Sequence, residues 1–182
     1  ADRLAYSYFA THDVPVIITR ASNNYGPYQF PEKILPLFVT NLMDNIQVPL
    51  YGDGGNVRDW LHVLDHCRGV DLIMHAGQNG EVYNIGGGNE VKNIDLTHSI
   101  LSLCGKGKEL IKPVADRKGH DRRYSLSTKK LEAMGWAPQV PFEQGLKDTV
   151  AWYQANEWWW RPIKERDANY KAYMDAQYGK RG

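Results

Sequence analysis

The sequence is poor in cysteine and in net charge, and it lacks any long apolar run. Only Cys67 and Cys104 are present, and neither lies in a CxxC arrangement, which excludes a disulfide framework and the common zinc-binding spacings. Both sit in apolar, helix-like surroundings and are expected to be buried free thiols. Twenty-two Lys and Arg stand against 21 Asp and Glu, for a net charge of +1. That balance argues against bulk attraction to nucleic acid or to a membrane surface. No stretch approaches the roughly 20 apolar residues of a membrane span, and no signal-peptide pattern occurs at the start, so a cytoplasmic protein with no membrane partner is expected. No repeat or low-complexity linker marks a domain boundary.

What is present is an ordinary globular composition, 42% hydrophobic and 24% charged over 182 residues, enough to bury a sizeable core. The run "ADRLAYSYFATH" has Leu4, Tyr8 and Phe9 at helical spacing but no capping residue before them, so the chain reads as beginning inside a helix, as a fragment would. "VPVIITRA" follows, and its β-branched run at Val16, Ile17 and Ile18 predicts a strand buried on both faces of a parallel sheet. Residues 31–45 predict a helix with Pro31 near its first turn and Ile34, Leu35, Phe38 and Leu42 on one face. Two short extended segments then flank a glycine-rich turn in "VPLYGDGGNVRDWLHV".

Asp65 is expected to cap the helix "HCRGVDLIMHA", with Gly77 at its end, and Asn93 to cap "IDLTHSILSLCG". "VYNIGGG" is a strand entering a glycine turn, and "LIKPVA" is extended. Ser127 or Thr128 opens a short helix, and Pro141 opens a longer one whose end carries "NEWWW". Strands alternating with helices make the fold α/β.

Several segments carry chemistry. "GDGGNV" and "GGGNEV" each miss the dinucleotide fingerprint GxGxxG, since Val57 and Val91 occupy the third glycine position, and both read as turns. His62 and His66 are four apart with Cys67 adjacent, but His62 belongs to an extended segment and Asp65 to a helix start, so no metal site is expected. "DRKGHDRRY" is dense in cationic side chains. Alone it reads as a solvated loop, but Arg58 in "NVRDW" is a further arginine in an extended segment, and converging guanidinium groups suit bidentate phosphate binding. With so little net charge, a small phosphorylated ligand is favoured over a polymer. "NNYGPYQFPEK", rich in amides and rings directly after a strand, reads as a ligand loop.

Together "TRASNNYGPYQFPEKILPLF", "PLYGDGGNVRDWLHV", "YNIGGGNEVKNID", "DRKGHDRRY" and "WYQANEWWW" closely resemble the dTDP-glucose 4,6-dehydratases of the extended short-chain dehydrogenase/reductase family. The resemblance covers roughly residues 1–162, in family order. It implies the C-terminal portion of an extended Rossmann-type fold with a smaller α/β substrate-binding domain. Residues 1–30 would be the last helix and strand of the Rossmann domain, 31–162 mostly the substrate-binding domain with returning Rossmann elements, and 163–182 a C-terminal tail.

By the same resemblance Asn24 contacts the NAD cofactor. Asn23, Lys33 and Ile34 meet the sugar nucleotide, Pro49, Leu50 and Tyr51 hold its base, and Arg58 pairs with its diphosphate. Asn93, Asp116, Arg117, Lys118, Gly119 and His120 complete the substrate set. Lys118 stands where proline is usual, and Leu64 where an acidic residue is frequent.

The family's reaction takes hydride from sugar C4 to NAD+, eliminates water across C5 and C6, and returns the hydride to C6. It uses a Tyr-x-x-x-Lys pair, a Thr-Asp-Glu group and a GxxGxxG loop, none of which occurs in this sequence. The resemblance therefore implies a lyase whose catalytic residues lie upstream of Ala1, with this chain inactive by itself. It also implies a homodimer in the full-length enzyme, formed through the helix of which "ADRLAYSYFATH" is the tail. Other expectations kept open are a nucleotide-sugar epimerase or decarboxylase of the same superfamily, a non-catalytic sugar-nucleotide-binding module, and a nucleic-acid-binding module resting on the basic loop alone.

Overall fold

The computed structural model describes residues 1–179. Helix α1 (Asp2–His12) precedes β1 (Ile18–Ala21) and β2 (Asn23–Tyr25). Helix α2 (Ile34–Met43) follows, then β3 (Val48–Tyr51), β4 (Val57–His62), α3 (Val63–Ala76), β5 (Val82–Ile85), β6 (Glu90–Lys92) and α4 (Asn93–Leu103). A 3-10 turn at Lys108–Leu110 leads to β7 (Ile111–Val114), and α5 (Lys129–Glu132), α6 (Phe142–Ala155), α7 (Glu157–Arg166) and α8 (Ala168–Tyr178) complete the described chain. The α/β class is as expected.

Three small sheets result. Strand β1 pairs in parallel with β5, in the register Ile18 to Val82, and β3 pairs in parallel with β7, Val48 to Ile111. Between them β4 takes β2 in parallel, Asn23 opposite Trp60, and β6 antiparallel, Arg58 opposite Val91. Successive side chains of a strand point to opposite faces, and β4 uses this to divide the molecule. Trp60 enters the larger core with Tyr25, Phe38, Leu96, Tyr153 and Trp160, while its neighbour Leu61 enters a smaller core with Ile73, Ile85 and Trp136. The same alternation turns Arg58 and Trp60 toward one side, where the cleft lies.

Helix α2 is apolar except for Thr40 and Asn41, and Leu35 through Leu42 are all buried, as a helix without an exposed polar face must be. It starts at Ile34 rather than near Pro31, because Lys33 is extended at φ −79°, ψ 150°. Pro36 is accommodated within the first turn, where the missing N–H has no intrahelical acceptor to lose.

Several local expectations are corrected. Strand β1 begins at Ile18 and buries only that residue, since among the described residues it has β5 as its sole strand neighbour. Helix α3 is capped by the ring of His62, whose Nδ1 accepts from the Leu64 N–H at 3.3 Å, not by Asp65. Asp65 instead accepts from the backbone N–H groups of Gln139 and Val140, both at 3.0 Å. Asn93 is already helical behind Lys92 and makes no side-chain cap.

The tryptophan run opens α7 instead of closing α6. Asn156, at φ −125°, ends the one and begins the other, and its amide donates back to the Trp152 carbonyl. Trp160 is fully buried and Trp158 exposed. Cys67 is exposed on α3, not buried, whereas Cys104 is half-buried and burial pushes its thiol up to about 11.

Candidate functional site

A cleft of about 410 Å³ opens where β2, the start of α2, β3, β4, the start of α4 and the loop after β7 converge. Its floor is cationic. Arg58 is buried, and its guanidinium donates to the carbonyls of Val57 and Asp121 at 2.7 and 2.9 Å. The ring of Tyr124 packs against it at 4.3 Å from the centroid. Burial pulls the guanidinium pKa below its ordinary value, a measure of how little water solvates it.

Arg117 reaches the same place from the loop, and both guanidinium groups converge on one imidazole. His120 Nε2 is 3.0 Å from Arg58 and 2.6 Å from Arg117, and its Nδ1 is 2.6 Å from Asp116 Oδ1. A guanidinium can only donate, so Nε2 is the acceptor and Nδ1 carries the proton given to Asp116. Among the described residues, no carboxylate lies within ion-pair distance of Arg58 or Arg117, unlike Arg68, Arg122, Arg123 and Arg161. Two guanidinium groups thus face the cleft with no carboxylate in direct contact, the Asp116 and Asp121 charges acting on Arg58 only from a distance.

The basic segment divides by function. Arg122 forks onto Asp53 at 2.9 and 3.1 Å, and Arg123 onto Glu90 at 2.9 and 2.6 Å. Those hydrogen bonds hold both carboxyls down at about 2. These two arginines pin the loop across the glycine turn and β6, leaving Arg117 and His120 to line the cleft. Lys118 and Gly119 are exposed at the turn between them, with Gly119 at φ +68°, and Asp116 acts through His120.

Away from the guanidinium groups the lining is aromatic. In β3 the burial alternates, so Pro49 and Tyr51 line the cleft while the Leu50 side chain turns into the interior. Arg117 stands 5.3 Å from the Tyr51 ring centroid. Ile34 and Lys33 bring the α2 N-terminus to the wall, where the first N–H groups have no intrahelical acceptor and favour an anion. The Lys33 ammonium is exposed and pairs with Glu32 at 2.7 Å. Asn93 presents a carbonyl oxygen that is buried without a partner.

At the opposite end stand Asn23 and Asn24 of β2. The Asn24 amide donates to the Ser22 carbonyl at 3.0 Å and faces His66 Nδ1 across 2.8 Å. Beside it the Ser22 hydroxyl is buried without a partner, an open hydrogen-bonding position that fits the edge of a bound cofactor. His62 and His66 do not share a ligand: one caps α3 and the other holds Asn24. No cluster able to hold a metal ion occurs among the described residues.

Ten of the expected residues, all but Leu50, Asp116, Lys118 and Gly119, line this one cleft. Sequence reasoning missed Gln29, Trp60 and the α8 side chains Tyr173, Gln177 and Tyr178, which line it too. Trp60 Nε1 and Gln29 Oε1 are buried there without partners. The available signal for α8 was its tyrosines at positions 170, 173 and 178, a helical spacing in a segment read only as a tail.

Comparison with known proteins gives a consistent result. A family model described as GDP-mannose 4,6 dehydratase matches residues 1–149. The dTDP-glucose 4,6-dehydratase of Streptomyces antibioticus is 57% identical over 169 residues, 92% of this chain and 50% of that protein. Among solved structures, DesIV, a dTDP-glucose 4,6-dehydratase of Streptomyces venezuelae with NAD and TYD bound, superposes with a TM-score of 0.88 at 53% identity, covering 89% of this chain and 51% of that one. The dTDP-glucose 4,6-dehydratase of Bacillus anthracis in complex with NAD gives 0.84 at 53% identity, covering 89% and 52%. The chain spans about half the length of the curated relatives it matches.

Proposed function

Because the chain belongs to the GDP-mannose 4,6 dehydratase family, we propose that it is the sugar-nucleotide-binding part of a dTDP-glucose 4,6-dehydratase, a lyase acting with NAD+ to form a 4-keto-6-deoxy sugar. One observation carries this reading: Arg58 and Arg117, neither paired with a carboxylate, meet at His120 beside the Tyr51 ring. A diphosphate supplies the missing negative charge, and a nucleobase suits the aromatic end. The dTDP-glucose relatives at 53–57% identity support that base and sugar over those of an epimerase or decarboxylase.

In this reading each residue has a physical task. Arg58 and Arg117 hold the diphosphate by charge-assisted hydrogen bonds, and Asp116 fixes the His120 tautomer that keeps both guanidinium groups in place. The α2 N-terminus at Lys33 and Ile34 adds its positive end, while Pro49, the Leu50 backbone and Tyr51 receive the base. Lys118 and Gly119 form the turn that presents Arg117 and His120. Asn93 accepts from a ligand hydroxyl, and Asn23 meets the hexose.

NAD, when bound, supplies the hydride acceptor and donor for the reaction. Asn24, held by His66 and Ser22, fits only a peripheral edge of it. The remaining cofactor site and the acid–base groups belong to a preceding segment. Dimerisation through α1 is part of the same proposal: α1 buries none of its residues, and Leu4, Tyr6 and Tyr8 are exposed. So is a cytoplasmic place in deoxysugar biosynthesis.

The test is calorimetric titration with dTDP-, UDP-, CDP- and GDP-glucose. Tightest binding of dTDP-glucose is expected. Equal affinities would remove the base assignment, and no binding of any of them would remove the function.

A further inference from the structure

Helix α8 forms a wall of the cleft that neither the guanidinium pair nor β3 supplies. Tyr170 is buried, Met174 and Tyr178 pack against the larger core, and Tyr173, Gln177 and Tyr178 line the cleft. These positions fall at i, i+3, i+4, i+7 and i+8, the stripe by which a helix docks on a globular body. Asp167 fixes the start of α8 by accepting from the N–H groups of Asn169 and Tyr170 at 2.8 and 3.0 Å. Phe30, in the loop before α2, meets the Tyr170 ring at 6.2 Å. The helix is therefore anchored on the same loop that shapes the cleft, and its inner face is aromatic and polar where an inert strap would need only aliphatic side chains.

The decisive contact is with Tyr51. The Tyr178 ring stacks on it, with centroids 6.0 Å apart and planes 29° from parallel, within the range of offset aromatic pairs. Arg117 lies beside Tyr51, so a diphosphate bound at Arg58 and Arg117 leaves the nucleoside, not the hexose, next to these two rings. The amide-rich end at Asn23 and Asn24 lies across the guanidinium groups from them. A flat heteroaromatic ring is the portion of a nucleotide sugar whose faces such rings bind, and Gln177 offers an amide donor and acceptor suited to the edge of a pyrimidine.

We propose that Tyr178 and Gln177 belong to the nucleobase subsite, so that the C-terminal helix is part of the binding site. This rests on the nucleotide-sugar reading above and adds to it a wall that completes the site only when α8 is docked. The base then helps to hold α8 in place, and removing the ring weakens binding of ligands that carry a base and spares those that do not.

The experiment compares dTDP with inorganic pyrophosphate by calorimetric titration, in the unaltered chain and in Tyr178→Ala, Tyr178→Phe and Gln177→Ala. Base–aromatic stacking of about 1–3 kcal/mol corresponds to a loss of dTDP affinity of about 5- to 150-fold for Tyr178→Ala. Pyrophosphate affinity should be unchanged, and Tyr178→Phe should bind dTDP nearly as well as the unaltered chain. Unchanged dTDP affinity in Tyr178→Ala would overturn the inference and leave the functional reading standing. An equal loss for both ligands would also overturn it, because α8 would then only support the fold. Failure of the unaltered chain to bind either ligand would overturn the functional reading and this inference with it.

Discussion

In the proposed site, what Arg58 offers a ligand depends on its shape as well as its charge. Its planar fork donates at once to Val57, Asp121 and His120, and a lysine ammonium keeps the charge but not that geometry. Arg58→Lys is expected to weaken dTDP binding by about 1 to 3 kcal/mol, read by calorimetric titration, and an unchanged affinity would take Arg58 out of the site. A second residue-scale expectation concerns His62 and His66, whose imidazoles are both held below their ordinary value by burial. An imidazole depressed on folding leaves the unfolded chain binding more protons between the folded pKa and about 6.5. Stability therefore falls as pH drops through that window and levels off below the folded value. Thermal melts at successive pH values from neutrality to pH 5 should show that fall, and it should be smaller in the His62→Asn, His66→Asn double variant; equal pH slopes would contradict the assignment.

At the scale of elements, the sequence made helix and strand identities legible but left their ends to tertiary contacts. The 3.6-residue pattern at Ile34, Leu35, Phe38 and Leu42 placed α2, yet its start depends on the extended backbone at Lys33. Asp65 is the clearest case. A residue with a good capping side chain at a helix start is a fair prediction, but Asp65 is fully inside and serves a distant partner, the backbone at Gln139 and Val140. No local pattern encodes a contact across 74 residues. The consequence is testable: Asp65→Ala leaves two part-buried N–H groups without their acceptor, each costing up to about 1–3 kcal/mol, so urea unfolding should report a loss of about 2 to 6 kcal/mol. The exposed Asp53→Ala, which releases only Arg122 and the Gly55 N–H at the surface, should change stability far less. Comparable losses in the two variants would refute this contrast. The loop after β7 was half legible: its charge density suggested an anion site, but which arginines face the cleft was decided by Asp53 and Glu90, acidic residues 69 and 33 positions away from their partners.

For the whole molecule, the alternation of strands and helices made the α/β class readable, and the sequence motifs named most of the cleft. The walls supplied by Trp60 and α8 were not readable, since a buried tryptophan and a tail helix look like packing until the chain closes on itself. The catalytic capacity of the chain follows from what the cleft contains. Tyr25 at the end of β2 and Lys33 just before α2 superficially resemble a base and its activating cation. Tyr25 is 1% exposed, its phenol pKa is raised by burial and then by the Asp65 charge, the opposite of what a base requires. Lys33 is exposed and committed to Glu32. The other ionisable groups at the floor are two guanidinium groups and an imidazole whose lone pair they occupy. This constellation suits an anion in the proposed reading, and Glu32, the carboxylate among the lining residues, is itself paired with Lys33. The chain is therefore expected to bind dTDP-glucose without forming the 4-keto-6-deoxy product when NAD+ is supplied, and to bind NAD weakly, since no glycine-loop helix start is present for its pyrophosphate. A product assay beside a longer protein carrying a preceding segment checks this: turnover in the longer protein alone would locate the acid–base chemistry in that segment, and comparable turnover in both would require a proton acceptor among the residues of this cleft.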